Sequence, residues 1–288
     1  MFRHVLVPLD GSLRAERAIF VAARLARASE GILILLRIVK DAPEDGPKTS
    51  VGSPLFQAAI QSEREEAQQY LTGIASSHQL AGLPIIVSTA HGPVATAIQV
   101  TIDTYEADLL VCCEQPEPRG SQQFLGSFAE QLSQRLSIPL LLLPAQEPLH
   151  GSLAEIQRPL TCLIGFAGAQ PEPFLIQPAV SLLAAFSSQE PGRLHFVPLR
   201  SLLSRSARTP LEPQAPAPDA GQLQVSRRSA VLLKEVRLAA KPEDSSVDVF
   251  ILATPLPSED GDVLREMRAY PRLLLPSQVR GSQKISPV

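Results

Sequence analysis

Short apolar runs alternate with longer amphipathic segments along the first half of the chain. The runs are short and continuous, as expected for strands that are buried on both faces. Between them, apolar residues recur at helical spacing, and Ser12 and Pro93 stand where a helix N-terminus is expected. The pattern predicts strands at residues 4–9, 32–39, 84–89, 107–113 and 138–143, and helices at residues 12–28, 54–78, 92–105 and 126–136.

The order of strand, helix and strand repeats throughout this region. Parallel strands joined by helices form a doubly wound sheet with right-handed crossovers. Residues 107–144 hold one complete βαβ unit, in which a polar loop containing Pro and Gly leads to a helix opened by Gly126 and Ser127. Such a loop lies at the carboxyl edge of a parallel sheet, where open α/β sheets bind ligands. We therefore expect a ligand site near this loop.

The second half repeats the same order after a junction at residues 150–157. Residues 163–169 (LIGFAGA) align with residues 6–12 (LVPLDGS), which places Ala167 at the position of Asp10 and Ala169 at that of Ser12. Residues 201–221 contain four prolines and predict a disordered insert. The remaining pattern predicts strands at residues 194–199, 223–226, 247–253 and 272–275, and helices at residues 178–187, 229–240 and 262–269. Residues 229–240 could instead form a strand, because VLLKEVRLA suits either structure.

The predicted fold class is α/β, with two doubly wound parallel-sheet domains. The domains span residues 1–147 and 158–277, the second with the Pro-rich insert near residues 201–221. The terminal strands at residues 140–143 and 272–275 are rich in leucine, and an open edge of this kind favours association. We expect these strands to pair, either within the chain as an internal pseudo-dimer or between chains, and we expect a protein partner that the sequence does not identify.

Composition and charge narrow the classes of partner. The chain has 288 residues, 44% of them hydrophobic, which is enough for two cores of ordinary size. The formal net charge is −3 and no basic run occurs, so neither nucleic acid nor a membrane surface is an expected partner. The N-terminus passes directly into a strand, and no apolar run approaches the ~18 residues of a membrane span. A cytoplasmic location is therefore predicted.

The cysteines and histidines give no sign of metal or catalytic chemistry. Cys112, Cys113 and Cys162 form neither a disulfide framework nor a CxxC motif. Reduced thiols inside strands are the expected state, with a redox or metal role as the alternative. The histidines lack the spacing of zinc ligands, and no G-x-S-x-G elbow occurs. No metal site and no catalytic residue is predicted.

Five pieces of the first half resemble the universal stress protein family in order and spacing: VLVPLDGS, LLRIV, AHGPVATAI, ADLLV and GSFAEQLSQRLSIPLLLLP. The resemblance covers about the first 145 residues well and the second half weakly, as a degenerate copy. It implies five-stranded parallel sheets of the adenine nucleotide alpha hydrolase-like type that pair through their last strands, and in one branch of the family it implies ATP binding. By that resemblance Asp10 would contact the adenosine part, Ile38 would lie against the adenine, and Gly126 and Ser127 would receive phosphate.

The loop before the Gly-Ser pair departs from the pattern of the ATP-binding branch. Cys113 and Pro116 stand at two positions where that branch has glycine. Those glycines let the backbone approach phosphate and turn its N–H groups inward, whereas Pro116 and Pro118 have no N–H to offer. Glu114 and Glu117 add negative charge in the same stretch. We therefore expect ATP binding to be impaired in the first half and lost in the second.

Each candidate site residue also has a purely structural interpretation. Ser127 and Glu130 form S-x-x-E, which is a capping box that closes a helix N-terminus without a ligand. Asp10 suits the turn that precedes the first helix, and Ile38 is an apolar residue in an apolar strand. Both interpretations stay open at the level of the sequence.

Three functions are compatible with these observations. The leading hypothesis is a non-catalytic regulatory or interaction protein of the universal stress type with impaired ATP binding. The alternative is an ATP-binding stress sensor with slow hydrolysis, based on Asp10, Gly126 and Ser127. A metabolic enzyme on the same architecture is a third hypothesis, which rests on fold analogy alone.

Overall fold

Five strands and four helices form the first half of the protein. The computed structural model describes residues 2–39, 54–115, 127–146, 153–166, 171–186, 192–198, 237–239, 247–254, 267 and 270–276. The predicted alternation of strands and helices is confirmed, with boundaries within a few residues of those expected. The elements are β1 (His4–Leu9), α1 (Leu13–Ala28), β2 (Ile32–Val39), α2 (Pro54–Ala75), β3 (Ile85–His91), α3 (Val94–Tyr105), β4 (Leu109–Cys113), α4 (Ser127–Arg135) and β5 (Leu140–Leu143).

The second half contributes five more strands and one helix to the described part of the chain. They are β6 (Thr161–Phe166), α5 (Ile176–Phe186), β7 (Arg193–Pro198), β8 (Arg237–Ala239), β9 (Val249–Thr254) and β10 (Arg272–Pro276). The position of Pro178 near the start of α5 agrees with the expectation that proline fits the first turn of a helix. Ala167, Ala169, the insert at residues 201–221 and all but one residue of the predicted helix at 262–269 lie outside the described residues.

All ten strands join in one sheet, in the order β3-β2-β1-β4-β5-β10-β9-β6-β7-β8. Every neighbouring pair is parallel except β5 and β10, which are antiparallel with Leu141 opposite Leu273. The doubly wound parallel α/β fold is thus confirmed, and the two terminal strands that were predicted to pair do so within one chain. We call this β5–β10 pairing the central seam. It makes the two predicted sheets continuous, because each half presents its last strand to the other.

The two halves follow the same strand order outward from the seam, and equivalent positions carry equivalent contacts. Asp108 accepts hydrogen bonds from the backbone N–H groups of Arg3 and His4 at 2.8 and 3.0 Å. Its counterpart Asp248 accepts one from the N–H of Thr161 at 2.8 Å. In both halves a carboxylate before the fourth strand therefore fixes the start of the first strand.

A glycine before the second strand of each half has the same structural cause. A Cβ atom on Gly31 would overlap the carbonyl oxygen of Arg3, and one on Gly192 would lie 3.1 Å from the carbonyl oxygen of Leu160. Arg3 and Leu160 occupy equivalent positions, since each carbonyl accepts the N–H at the start of the neighbouring strand. Close backbone approach thus requires glycine at position 31 and favours glycine at position 192.

Two apolar layers enclose the sheet. One layer contains α1, α5 and Leu71 of α2, and the other contains α3 and α4. The predicted inward face of α1 is buried and consists mostly of small residues that permit close approach to the sheet: Ala15, Ala18, Ile19, Ala22 and Leu25. Alternate residues of β2 enter opposite layers, as expected for a strand covered on both faces.

The placement of the third strand in the second half was predicted wrongly. Residues 237–239 form β8, which pairs with β7 through Leu194 and Leu238, and they are not part of a helix. This pairing makes Leu238 the counterpart of Ile85, because Ile85 pairs with Leu33 in the same way. The predicted third strand at residues 223–226 lies outside the described residues. The local sequence pattern suits either a helix or a strand at these residues, and pairing with β7 selects the strand.

Candidate functional site

Asp10 lies in the turn between β1 and α1. Its Oδ1 atom accepts hydrogen bonds from the backbone N–H of Ser12 at 2.9 Å and from the Ser12 hydroxyl at 2.5 Å. Ser12 in turn caps α1, since its Oγ atom accepts the N–H of Ala15 at 3.2 Å. Gly11 has a φ of +82°, a conformation that favours glycine in the middle of the turn. The DGS sequence therefore builds a tight, locally satisfied turn.

The second oxygen of Asp10 has a cationic neighbour. Arg14 Nη2 lies 3.3 Å from Asp10 Oδ2, one helical turn further along. Partial burial raises the pKa of Asp10, but the two hydrogen bonds from Ser12 and the charge of Arg14 together outweigh it and hold the pKa below its usual value. Asp10 is therefore anionic at neutral pH, and a ligand hydroxyl that approached Oδ2 would compete with Arg14.

Asp10 and Ile38 come together in an open cleft of about 950 Å³. The cleft lies at the carboxyl ends of β1, β2 and β4, where the strand order reverses, as in other doubly wound sheets that bind ligands. We use the name cleft for the space lined by the following residues: Pro8, Leu9, Asp10, Gly11, Arg14, Ala15, Arg37, Ile38, Val39, Glu63, Glu66, Tyr70, Val94, Cys112, Cys113, Gln115 and Phe128.

The structure describes only part of the expected phosphate region. Gly126 lies outside the described residues, and so does the side chain of Ser127. Helix α4 begins at Ser127, and Phe128 lines the cleft. The N-terminus of α4 is thus next to the cleft, as the βαβ pattern predicted.

Sequence reasoning missed a polar wall built by Arg37 and Tyr70. The Arg37 guanidinium carbon lies 5.7 Å from the centre of the Tyr70 ring, within reach of a cation–π interaction. Arg37 Nη1 donates to the carbonyl oxygen of Leu9 at 3.3 Å, and the Tyr70 hydroxyl donates to Glu16 Oε1 at 2.8 Å. Burial and the neighbouring Glu16 raise the pKa of Tyr70, so the phenol stays protonated. The one signal in the sequence was a single arginine within the apolar run ILILLRIV.

The cleft is mixed in charge. Asp10, Glu63 and Glu66 contribute carboxylates, and Arg14 and Arg37 contribute guanidinium groups. Both arginines already have partners, Asp10 for the first and a backbone carbonyl with the Tyr70 ring for the second. Among the described residues that line the cleft, carboxylates outnumber guanidinium groups by three to two, so a polyphosphate would meet more negative than positive side chains there.

The two adjacent cysteines lie at the floor of the cleft as thiols. Burial is the main cause that raises the pKa of both Cys112 and Cys113, and for Cys113 it outweighs the opposing effects of Arg17 and Arg14. All three cysteines are buried and free. Among the described residues no group of three or more His, Cys, Asp or Glu could hold a metal ion. No helix in that part of the chain has both the length and the apolar composition needed to cross a bilayer.

The position of Glu114 corrects one step of the sequence argument. We expected its negative charge to lie near a bound phosphate. Instead its side chain is 2% exposed and pairs with Arg272 of β10 at 2.5 Å, and it is not among the described residues that line the cleft. The neighbouring Pro116, Glu117 and Pro118 lie outside the described residues, so their predicted effect on phosphate stays a prediction.

These features define the first half as a doubly wound α/β unit with an open cleft at its switch point, the class of fold that places ligands at the carboxyl ends of its strands. The model of the universal stress protein family matches residues 1–144, which is half of the chain. The chain therefore belongs to the universal stress protein family.

One similar solved structure extends the likeness of the fold through both halves, and others match half of the chain. A universal stress protein from Archaeoglobus fulgidus DSM 4304 is 12% identical with a TM-score of 0.57, over 95% of this chain and 96% of that one. Universal stress protein UspA from Lactobacillus plantarum is 18% identical with a TM-score of 0.40, over 49% and 97% of the two chains. A family member from Burkholderia pseudomallei is 21% identical with a TM-score of 0.37, over 49% and 96%. No curated protein matches this chain.

Proposed function

We propose that this chain is a non-catalytic regulatory or interaction protein of the universal stress type, acting in the cytoplasm through a protein partner. Its first half keeps the cleft of an adenine nucleotide site, but its affinity for ATP is impaired. The observation that carries the proposal is the state of Asp10 in an otherwise open cleft. Both of its carboxylate oxygens already have donors within the chain, Ser12 at one and Arg14 at the other.

The charge of the cleft supports weak binding of a triphosphate. Glu63 and Glu66 of α2 line the wall that faces the carboxyl ends of the strands. Like charges about 4 Å apart at an effective dielectric constant of about 20 repel by about 4 kcal/mol. Two cations that already have partners compensate such repulsion only in part.

The second half serves in this proposal as a structural copy. Its strand order, the carboxylate of Asp248 and the close approach at Gly192 match those of the first half. By sequence alignment, however, Ala167 stands where the first half has Asp10. A copy that retains the residues fixing the fold and lacks the polar residue of the cleft fits a tandem arrangement in which the second half completes an internal pseudo-dimer.

The alternative function is an ATP-binding stress sensor with slow hydrolysis. One observation favours it: Glu114 pairs with Arg272 and does not line the cleft. One of the repulsive charges expected from the sequence is therefore absent from the described part of the site.

Titration of the full chain with magnesium and ATP separates the two functions. The leading proposal expects no saturation below about 1 mM in calorimetry and no phosphate release. The sensor expects micromolar saturation that Ile38→Asp abolishes and that Asp103→Ala, an exposed control on α3, leaves unchanged. Micromolar binding with this pattern would overturn the claim of impaired binding, and phosphate release lost in the same variant would overturn the non-catalytic claim.

A further inference from the structure

The guanidinium group of Arg37 is held in one position at the side of the cleft. Its Nη1 atom donates to the carbonyl oxygen of Leu9 at 3.3 Å, and its central carbon lies 5.7 Å from the centre of the Tyr70 ring. A Cβ atom on Gly11 would lie 3.1, 3.4 and 3.5 Å from Nη1, Nη2 and the central carbon, so the group also packs against the backbone of the turn. Contacts with three elements therefore fix the orientation of a cation that lines the cleft.

Arg37 has more hydrogen-bond donors than its contacts within the protein use. A guanidinium group carries five N–H donors in one plane, and the bond to Leu9 uses one of them. The others make no hydrogen bond to a residue in the described part of the chain. A fixed guanidinium plane suits a carboxylate or a phosphate, since either can accept two parallel hydrogen bonds. Arg37 can therefore bind an oxyanion and keep its bond to Leu9.

The charges of the cleft favour an oxyanion of low charge. The described lining contains the carboxylates of Asp10, Glu63 and Glu66 and the guanidinium groups of Arg14 and Arg37. Because the carboxylates are in the majority, the net repulsion of an anion grows with its charge. A carboxylate carries one negative charge, whereas a phosphate ester carries about 1.5 to 2 at neutral pH. Both can form the same paired hydrogen bonds, so the carboxylate is the better fit.

The other side of the cleft is apolar. Arg37 and Ile38 are consecutive in β2, so their side chains leave opposite faces of the sheet. Ile38, Val94 and Phe128 all pack against the apolar layer of α3 and α4, and all three line the cleft. A ligand that extends from Arg37 across the sheet edge to these residues has an anionic group at one end and an apolar body at the other.

We propose that the cleft binds a small apolar carboxylic acid, whose carboxylate pairs with Arg37 and whose apolar body packs against Ile38, Val94 and Phe128. Such a combination of an apolar wall with one oriented polar group is typical of small-molecule sites. Arg37 fixes the charged end of the ligand, and the apolar side selects its substituent. The assignment goes beyond the regulatory function proposed for the chain and does not depend on whether ATP binds.

Calorimetric titration of the full chain with hydrocinnamate tests the assignment. We expect saturation with a dissociation constant of about 1 mM or below, as for a good ligand of this size. The neutral amide of the same acid should bind at least about tenfold more weakly, and so should propionate, which lacks the ring. Phenethyl phosphate, which has a similar length, should also bind more weakly than hydrocinnamate.

Three results of these titrations would overturn the proposal. Absence of saturation by hydrocinnamate would show that the cleft does not take such an acid. Equal binding of the amide would show that the carboxylate does not pair with a cation. Tighter binding of phenethyl phosphate would show that the site selects phosphate. All three comparisons use the parent chain, so they hold even if a variant of Arg37 fails to fold.

Variants then identify the cation. Arg37→Met should weaken binding of hydrocinnamate by about tenfold or more and leave binding of the amide unchanged. Arg37→Lys keeps the charge but not the paired donors, so its affinity should lie between those of the parent chain and Arg37→Met. Arg27→Met is the matched control, because Arg27 also donates to a backbone carbonyl, that of Gln79, but is exposed and is not among the described residues of the cleft. Equal losses in Arg37→Met and Arg27→Met would contradict the proposal, since net charge alone would then govern binding.

Titration with magnesium and ATP separates this assignment from the function proposed for the chain. Binding of hydrocinnamate without saturation by ATP supports both. Binding of hydrocinnamate together with micromolar binding of ATP overturns only the claim of impaired nucleotide binding. Absence of hydrocinnamate binding overturns only the assignment of the carboxylic acid.

Discussion

We predict that the two partners of the ion pair between Arg158 and Asp248 differ in the stability that is lost when each is replaced by alanine. Asp248 precedes β9 and is 2% exposed at its side chain, whereas the Arg158 side chain is 45% exposed. The arginine donates to both carboxylate oxygens, at 2.8 and 2.5 Å, and the N–H of Thr161 donates to one of them at 2.8 Å. Removal of either partner breaks the two bonds between Arg158 and Asp248, and removal of Asp248 also breaks the bond from Thr161. The two changes leave different groups behind.

The group left behind sets the magnitude. Arg158→Ala leaves a buried carboxylate without its counter-ion, which costs about 3–5 kcal/mol. Asp248→Ala leaves a half-exposed guanidinium that water can solvate, so the main cost is the buried N–H of Thr161, about 1–3 kcal/mol. At about 2 °C per kcal/mol for a chain of this size, we expect melting temperatures to fall by roughly 6–10 °C and roughly 2–6 °C.

Thermal unfolding followed by circular dichroism measures both variants against the parent chain. Arg158→Lys is the matched control, because it keeps the charge but not the paired hydrogen bonds. Its melting temperature should lie between those of the parent chain and Arg158→Ala. A larger loss for Asp248→Ala than for Arg158→Ala would refute the reasoning, since it would mean that desolvation of the carboxylate does not decide the cost.

Three further predictions follow from contacts at other positions. Gly31→Ala should lower the free energy of unfolding by about 3 kcal/mol or more, because the new Cβ atom meets the backbone of Arg3. Gly192→Ala should lower it by less, because the nearest neighbour of its Cβ atom is the movable Leu183 side chain at 2.7 Å. Denaturant titration measures both variants. Arg24→Lys should cost about 1–2 kcal/mol in the same assay, since lysine cannot reproduce the three hydrogen bonds to carbonyl oxygens of the junction and of α5. An NMR titration should place the pKa of Asp10 below the usual range for aspartate. The contribution of ionised Asp10 to stability is then complete at pH values above the usual pKa and is lost as the pH falls through the lowered pKa. A titration midpoint at or above the usual value would contradict the hydrogen bonds described.

The amino-acid sequence by itself determined the alternation of strands and helices, the turn at Asp10 and Ser12, the buried face of α1 and the open edges at β5 and β10. These features depend on residues close together in the chain, where periodicity and capping act directly. The resemblance to the universal stress protein family implied that Asp10 and Ile38 share one site, and in the structure both line the cleft at the carboxyl ends of neighbouring parallel strands.

Only the tertiary structure decided where the charged side chains go. Glu114 directly follows β4, where a cleft residue would be expected. Its side chain instead lies in the central seam, where it pairs with Arg272 of a strand distant in sequence. Arg37 and Tyr70 meet only when α2 packs beside β2. Residues 237–239 become a strand because β7 presents a free edge. Partners in these cases lie far apart in the chain, and a buried charge or an unpaired backbone takes whichever partner the packed sheet supplies.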